Sequence, residues 1–227
     1  LESFAKNGCN VFACARKETE VFSNFINDLK DKYQVDTTPI FFDFSDEEQV
    51  KNAAKTITST KTKIDILVNN AGVAYGGFFQ MTPIQEIKKT MEINFLSPIL
   101  FTQSIARYMS RSKSGSIINI ASTAGMIGDL GTLSYGSSKA ALMYATKTLA
   151  TEVGSNNIRV NAISPHVTKT DMYDKMDEKA RNKAIEATAL GRAAEAEEIA
   201  NVALFLASDL STYVTSQVIR VDGGLTT

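Results

Sequence analysis

Six short apolar runs, separated by amphipathic stretches, constrain the fold of this 227-residue chain most strongly. The runs are typical of buried strands, and the stretches between them have apolar residues at the three- and four-residue spacing of helices. Continuously apolar strands that alternate with helices predict an α/β fold, a doubly wound parallel sheet covered by helices on both faces in three layers. The predicted strands lie at residues 10–16, 38–44, 64–70, 115–122, 158–164 and 216–222. The predicted helices lie at residues 17–32, 46–60, 83–112, 135–154, 171–189 and 195–208.

The chain is predicted to form one domain over residues 1–227, because it has no linker, internal repeat or break in composition. Its longest stretch without a strand, residues 165–215, follows the strand at 158–164. Ligands of an open parallel sheet bind beyond the carboxyl ends of its strands, so residues 165–190 are a candidate substrate lid. The alternative is a pair of packing helices with no gating role.

The charge of the chain is balanced, with 24 basic and 25 acidic residues. A binder of nucleic acid or of an anionic membrane usually carries a basic excess, so neither partner is expected and small neutral partners are favoured. The two cysteines, Cys9 and Cys14, do not have the spacing of a metal site or a disulfide framework. This usage of cysteine favours a reduced, cytoplasmic setting.

Tyr135 and Lys139, in the sequence SYGSSKAAL, are four residues apart at the predicted start of a helix. Side chains at positions i and i+4 share a helix face, so the phenol and the ammonium can approach each other. A nearby ammonium favours the phenolate and would lower the tyrosine pKa from about 10 toward the range useful to a general acid. The same spacing also arises by chance in about one of two chains of this composition, so the pair alone does not define a site.

Three further features of the sequence suggest that Tyr135 and Lys139 belong to a functional site. Ser122 ends the predicted strand at 115–122, where its hydroxyl can converge with Tyr135 on one substrate oxygen, although a serine there can also simply end a strand. Small residues in the segment 69–72 (NNAG) allow a ligand to approach the backbone, and its asparagines can tie strands and loops together; a plain turn is the alternative. Asn94 interrupts an apolar helix, where a buried amide needs partners.

These motifs, in this order and spacing, resemble the short-chain dehydrogenase/reductase family. The segments 161–165 (NAISP), 190–209 and 221–224 (VDGG) extend the similarity along residues 1–227. Within the family, the chain is most similar to the 3-oxoacyl-(acyl-carrier-protein) reductases. The resemblance implies a Rossmann-like fold and a hydride transfer between a nicotinamide cofactor and a carbonyl carbon.

The resemblance also implies the roles of the catalytic residues. Tyr135 would be the catalytic acid and base, and Lys139 would lower its pKa and hold the nicotinamide ribose. Ser122 would position and polarise the substrate carbonyl, and Asn94 would hold a water that relays protons from Lys139 to solvent. No metal is required by this chemistry, and the sequence has no His/Cys/Asp cluster typical of a metal site.

Cofactor choice is indicated at the end of the first predicted strand, where Arg16 and Lys17 stand at the position of the acidic residue of NAD-preferring relatives. A guanidinium matches a phosphate in bidentate geometry, so NADP(H) is the predicted cofactor. The alternative is that both are ordinary surface charges. The resemblance implies that the other cofactor-binding residues are Asp43, Phe44, Asn70, Ala71, Gly72, Tyr135, Lys139, Pro165, Thr168 and Thr170.

The first two departures of the chain from the family pattern concern its start and its histidine. The family begins with a strand and a glycine-rich turn, whereas this sequence starts with LESFAKNG, typical of the end of a helix closed by Gly8. A segment of roughly 20 residues, containing a central strand, is therefore expected before Leu1. His166, the only histidine, stands where the family has glycine, and we hypothesise that it narrows the pocket or contacts substrate.

The expected activity is reduction of a ketone by NADPH, with a 3-oxoacyl thioester as the favoured substrate. Docking of an acyl carrier protein is less well indicated, because Lys113 fits the first of two basic family positions whereas Asn156 occupies the second. The alternatives are a dehydrogenase or reductase of another secondary alcohol, such as a sugar or a steroid, and a non-catalytic binding subunit. The resemblance implies a homotetramer or homodimer.

Overall fold

A computed structural model describes residues 1–226 of the chain, and it confirms the predicted alternation of strands and helices. All strand pairs are parallel. The strands are β1 (Val11–Ala15), β2 (Thr37–Phe41), β3 (Ile66–Asn69), β4 (Gly115–Ile120), β5 (Ile158–Pro165) and β6 (Val218–Val221). The helices are α1 (Glu2–Lys6), α2 (Glu20–Tyr33), α3 (Glu47–Ser59), α4 (Ile84–Met91), α5 (Ser97–Ser112), α6 (Leu133–Val153), α7 (Asp171–Asp174), α8 (Glu178–Glu186) and α9 (Ala196–Ala207).

The helices cover both faces of the strands, which gives the predicted three layers. Successive residues of a strand point to opposite faces, so a strand covered on both sides must be apolar throughout. In β4, Ile117 packs with the core beneath α3, α5 and α6, whereas its neighbour Ile118 packs with the core beneath α9. Both side chains are fully buried. This explains why the central strands read as continuous apolar runs.

The strands form two groups rather than one continuous sheet. β1 pairs with β2, and β3, β4, β5 and β6 pair in that order. Within the described residues, the edges of β1 and β3 that face each other have no strand partner. A cleft passes between them and is lined on its two sides by Val11 and Phe12 and by Ile66 and Leu67.

Two predicted helices are divided in the structure. The helix predicted at 83–112 contains a π-helical turn at Glu92–Leu96, between α4 and α5. The helix predicted at 171–189 is two helices, because the side chain of Asp177 accepts a hydrogen bond from the N–H of Ala180 (2.9 Å) and so begins α8 anew.

The structure agrees with the prediction at the start of the chain and differs from it at the end of β2. The predicted terminal helix is α1, and Gly8 follows it with a φ of +79°, a conformation that favours glycine. The strand predicted at 38–44 ends earlier, at Phe41, and Asp43 and Ser45 form a turn in which the carboxylate accepts two hydrogen bonds from the serine.

Among residues 1–226, none of the helices has both the length and the apolar character needed to cross a membrane.

Candidate active site

A cleft opens at the carboxyl ends of β3, β4 and β5, the edge at which open parallel sheets bind ligands. Its volume of about 3360 Å³ exceeds the roughly 300–1,000 Å³ of a usual ligand pocket because it continues into the gap between β1 and β3. Three predicted site residues, Arg16, Asp43 and Asn94, are not part of its lining. The predicted residues that line the cleft are Phe44, Asn70, Ala71, Gly72, Ser122, Tyr135, Lys139, Pro165, His166, Thr168 and Thr170.

Ser122 is positioned by a close contact between the turn after β4 and the start of α6. Its hydroxyl accepts a hydrogen bond from the N–H of Ala124 (3.2 Å), which begins a short 3₁₀ turn at Thr123–Gly125. A Cβ atom on Gly136 of α6 would lie 2.4 Å from the carbonyl oxygen of Ala124, so only glycine allows this approach. The contact brings the Ser122 hydroxyl within hydrogen-bonding reach of the Tyr135 phenol.

The phenol of Tyr135 is largely withdrawn from solvent. Burial raises the pKa of Tyr135, and the hydrogen bond with Ser122 offsets only part of that rise. The prediction of a lowered pKa is therefore wrong for this environment. Lys139 Nζ lies 5.7 Å from the centroid of the phenol ring, and the loss of hydration on burial is the largest influence on the phenol pKa. A raised pKa keeps the phenol protonated at neutral pH.

Lys139 is a buried cation, with only 4% of its surface exposed. Its ammonium donates a hydrogen bond to the carbonyl oxygen of Ile120 at the end of β4 (2.7 Å). Burial lowers the pKa of Lys139 to about 8, because the charged form loses its hydration. The side chain therefore remains mostly charged at neutral pH and places a positive charge beside Tyr135.

Asn94 lies fully buried in the π-helical turn between α4 and α5. Its side-chain oxygen accepts a hydrogen bond from the N–H of Val73 (2.8 Å). Its amide nitrogen donates to the Val73 carbonyl (2.8 Å) and to the Ser138 hydroxyl (3.0 Å). Asn94 thereby joins the loop after β3 to α6, which carries the tyrosine and lysine pair, and this explains the amide in an apolar helix.

The loop after β3 brings backbone close to the lysine. Asn70, Ala71 and Gly72 are exposed to the cleft. A Cβ atom on Gly72 would lie 3.4 Å from Lys139 Nζ and 3.3 Å from Asn94 Oδ1. A small residue therefore suits this position, as the sequence indicates.

Arg16 and Asp43 stand at the ends of the neighbouring strands β1 and β2. Hydrogen bonds from the backbone and hydroxyl of Ser45 hold the pKa of Asp43 below its usual value, and the positive charge of Arg16 contributes in the same direction. The guanidinium of Arg16 is exposed. Phe44 packs against Phe42, with ring centroids 4.8 Å apart.

The chain continues along the cleft from Pro165, the last residue of β5, to Thr170. The Thr168 hydroxyl donates to the carbonyl of His166 (3.1 Å), and the Thr170 hydroxyl donates to the carbonyl of Thr168 (3.3 Å). A bridge between Thr168 and Ala194 holds the segment against the chain that precedes α9. These local bonds place both threonine side chains on the cleft wall.

His166 contacts two elements at once. Its Nδ1 atom lies 3.0 Å from the Thr123 hydroxyl oxygen, next to Ser122, and its Nε2 atom lies 3.2 Å from the carbonyl oxygen of Ala184 on α8. His166 belongs to the cleft lining, and the hypothesis that it narrows the pocket or contacts substrate stays a hypothesis.

Sequence reasoning missed Thr123, Gly136 and Ser138. The last two lie inside the stretch SYGSSKAAL, between the tyrosine and the lysine, where their small size is a signal of close packing. Thr123 has no such signal, because its partner His166 is 43 residues away along the chain.

The ionisable side chains around Ser122 that line the cleft include Tyr135, Lys139 and His166. Within residues 1–226, no group of three or more His, Cys, Asp or Glu side chains is placed so that it could hold a metal ion. The phenol of Tyr135 and the ammonium of Lys139 can donate protons, and Ser122 and Tyr135 can orient an oxygen atom between them.

Comparison with known proteins places the chain in a family. A family model described as enoyl-(acyl carrier protein) reductase matches residues 2–226. A 3-oxoacyl-(acyl-carrier-protein) reductase from Thermotoga maritima is 39% identical over 187 residues, which cover 82% of this chain and 76% of the relative. A 3alpha-hydroxysteroid dehydrogenase from Mediterraneibacter gnavus is 33% identical over 224 residues, 98% of this chain and 89% of the relative. The crystal structure of a 3-oxoacyl-(acyl-carrier protein) reductase from Brucella melitensis superimposes with a TM-score of 0.90 at 27% identity, covering 99% of this chain and 84% of that one.

The fold is of the Rossmann-like α/β class, as the sequence predicts, and the family model and the relatives identify the chain as an oxidoreductase. The chain belongs to the short-chain dehydrogenase/reductase family, and several of its relatives are 3-oxoacyl-(acyl-carrier-protein) reductases.

Proposed function

We propose that this chain reduces ketones with NADPH and that a 3-oxoacyl thioester is its substrate. The observation that carries the proposal is the convergence of Ser122, Tyr135 and Lys139 on one cleft at the carboxyl ends of the strands. The names of the relatives from Thermotoga maritima and Aquifex aeolicus support the thioester as substrate.

Three side chains divide the work on the carbonyl. The bound nicotinamide would supply a hydride to the carbonyl carbon, and the carbonyl oxygen then needs a proton. Ser122 and Tyr135 would hold that oxygen, and Tyr135 would donate the proton, which its raised pKa keeps available at neutral pH. The charge of Lys139 stabilises the phenolate that remains after proton transfer.

Other residues would hold the parts of the reaction in place. Lys139 would also bind the nicotinamide ribose. Asn94 fixes the loop after β3 through Val73, and the relay water predicted at Asn94 stays a prediction. The cofactor would lie along Phe44, Asn70, Ala71, Gly72, Pro165, Thr168 and Thr170, with the adenine near Asp43.

We propose NADP(H) rather than NAD(H) as the cofactor because of Arg16. Its exposed guanidinium follows β1 beside Asp43, at the strand end where an acidic residue would repel a 2′-phosphate. The fold and the family support a nicotinamide cofactor, and the charge at this position favours the phosphorylated form.

A steroid ketone is the second candidate substrate. The steroid dehydrogenase of Mediterraneibacter gnavus matches 98% of the chain. The cleft also has exposed apolar side chains on its lining, including Phe78 (62% exposed) and Leu130 (78% exposed), which suit either an acyl chain or a steroid.

Turnover of a substrate panel separates these candidates. NADPH oxidation is measured with acetoacetyl-CoA, a 3-oxosteroid, a simple ketone and a sugar ketone, at equal concentrations. The proposal predicts the highest kcat/KM for acetoacetyl-CoA. A steroid preference would replace the leading substrate class, and no turnover of any of the four would favour a binding subunit.

We also propose that a further parallel strand fills the gap between β1 and β3. The two facing edges have no partner within residues 1–226, and their apolar side chains line the gap. Unpaired edges inside a layered fold are unfavourable because their N–H and C=O groups need partners. Slow hydrogen exchange at both edges in the natural protein is the expected result, and fast exchange there would contradict the proposal.

A homotetramer or homodimer is the proposed assembly. Exposed apolar side chains next to or on the long helices support it, among them Leu96 (50% exposed) and Tyr144 (74% exposed). An acyl carrier protein is a proposed partner with weaker support, because only Lys113 of the two expected basic positions is basic. Light scattering of the purified protein tests the assembly, and a monomer would contradict it.

A further inference from the structure

His166 joins the turn that carries Ser122 to the helix that covers the cleft. The carbonyl oxygen of Ala184 can only accept a hydrogen bond, so His166 Nε2 must be the donor of that 3.2 Å contact. In the neutral ring, Nδ1 then accepts the hydroxyl proton of Thr123 over 3.0 Å. Both ring nitrogens therefore have partners within the protein.

The two partners differ in how firmly they are held. Thr123 is 3% exposed and follows Ser122 directly, in a turn fixed against α6. Helix α8, in contrast, has no fully buried side chain among its residues Glu178–Glu186, and its apolar residues Ala180, Ala184 and Ile185 are only half-buried. Burial of apolar side chains is what usually holds a helix on a fold, so polar contacts contribute more to holding α8 than they do for a buried helix.

At the carboxyl end of α8, the carbonyl oxygen of Ala187 accepts hydrogen bonds from the N–H (3.0 Å) and the hydroxyl (3.1 Å) of Thr226. Along α8 itself, the polar contacts with the rest of the protein are few. Lys183 lies 3.8 Å from Asp129, but both side chains are more than half exposed, and an ion pair in water contributes little. Arg181 bonds to carbonyl groups of Asp174 and Met176, which belong to the same candidate lid. Among these contacts along α8, the one between Ala184 and His166 links the helix to the end of β5 and, through Thr123, to the turn that carries Ser122.

We infer that His166 is a positioning residue that holds α8 over the cleft and fixes the turn of Ser122, rather than a ligand of the substrate. The inference rests on the proposed function for its kinetic consequence, because the lid closes over the place where the ketone would bind. Its structural consequence, the mobility of α8, does not depend on any activity.

Two substitutions separate the two hydrogen bonds of the ring. The amide nitrogen of glutamine can reach the position of Nε2, so His166→Gln keeps the donor to Ala184 and loses the contact with Thr123. The amide oxygen of asparagine matches the position of Nδ1, so His166→Asn keeps the acceptor for Thr123 and loses the contact with α8. His166→Phe removes both, and Lys183→Gln is the control that removes only the exposed ion pair.

Hydrogen exchange and proteolysis of residues 171–187 give the first readout. His166→Phe and His166→Asn are expected to raise the rates about tenfold, the effect of one lost hydrogen bond, whereas His166→Gln and Lys183→Gln change them less than about twofold. Equal rates in wild type and His166→Phe, with both proteins folded by circular dichroism, would overturn the inference.

Kinetics with the ketone give the second readout. A loosened lid is expected to raise KM for the ketone about tenfold in His166→Phe and His166→Asn, with a smaller change in kcat. The double variant Thr123→Val/His166→Phe should be no worse than His166→Phe, because Thr123 acts through the ring. A loss of kcat in His166→Gln equal to that in His166→Phe would instead point to contact of the ring with the substrate.

Failure of the proposed function can be told apart from failure of this inference. If hydrogen exchange of residues 171–187 responds to the variants as expected but the wild type turns over no ketone, the proposed function is contradicted and the inference stands.

Discussion

At the scale of single residues, burial controls the chemistry of the site. The 4% exposure of Lys139 lowers its pKa to about 8, and the burial of Tyr135 raises the phenol pKa. Sequence reasoning correctly brought Tyr135 and Lys139 together, because the four-residue spacing on a helix is local. It missed the direction of the Tyr135 shift, because desolvation depends on which chain segments cover the phenol.

The lowered pKa of Lys139 predicts how stability depends on pH. Below about pH 8 the ammonium is charged in both the folded and the unfolded chain, and the folded chain bears the full cost of burying it. Between about pH 8 and 10.5 the unfolded chain binds more protons, so the stability contributed by this group rises with pH. The difference in free energy of unfolding, wild type minus Lys139→Met, should therefore rise by up to about 3 kcal/mol as the pH increases across this window.

Denaturant unfolding of both proteins at pH 7.5 and pH 10.5 measures this gain. Lys147→Met on the exposed face of the same helix is the control, and its difference from the wild type should not change with pH. A difference between wild type and Lys139→Met that stays constant over this range would show that the lysine is not buried as described.

The exposed guanidinium of Arg16 leads to a prediction about cofactor choice, namely that the chain prefers NADPH to NADH. Replacing it with leucine removes the guanidinium that would bind the 2′-phosphate, so KM for NADPH is expected to rise about tenfold or more. KM for NADH, which has no such phosphate, should stay within about twofold and serves as the control. Steady-state rates with both cofactors give the answer, and equal losses with both would contradict the role of Arg16.

At the scale of elements, sequence periodicity located the strands and most of the helices, and it missed the features that depend on distant partners. The π-helical turn in the helix predicted at 83–112 surrounds Asn94, whose partners Val73 and Ser138 lie 21 and 44 residues away. Asn69 was predicted to tie strands together, and it does so by donating to Asn119 on β4 (2.8 Å). Such partners follow from the packing of whole elements, so a motif can suggest them but cannot name them.

The close contact between α6 and the turn after β4 predicts a strong effect of one methyl group. In Gly136→Ala the new Cβ would lie 2.4 Å from the Ala124 carbonyl oxygen, so the turn that carries Ser122 must move. A loss of about 1–3 kcal/mol in the free energy of unfolding is expected, together with a lower kcat. Gly154→Ala is the matched control, because no atom lies within 4 Å of its Cβ position, and it should be neutral or slightly stabilising. Unfolding curves that show equal stability for both variants would contradict this packing.

At the scale of the whole molecule, the topology brings together residues that are far apart in sequence. The loops after β3, β4 and β5 meet at one edge because the strands are parallel and adjacent. That much of the site could be predicted from the order of strands and motifs. The position of α8 at the cleft, in contrast, depends on tertiary contacts such as that of His166 with Ala184.

The central claim is that Tyr135 donates the proton in the reduction of a ketone by NADPH. The most direct test is the rate of NADPH oxidation with acetoacetyl-CoA by the wild type and by Tyr135→Phe, with NADPH binding measured by fluorescence as the control for folding. Loss of the general acid should lower kcat by roughly 100-fold or more while NADPH still binds. Tyr135→Phe turning over at the wild-type rate would contradict the assignment of Tyr135.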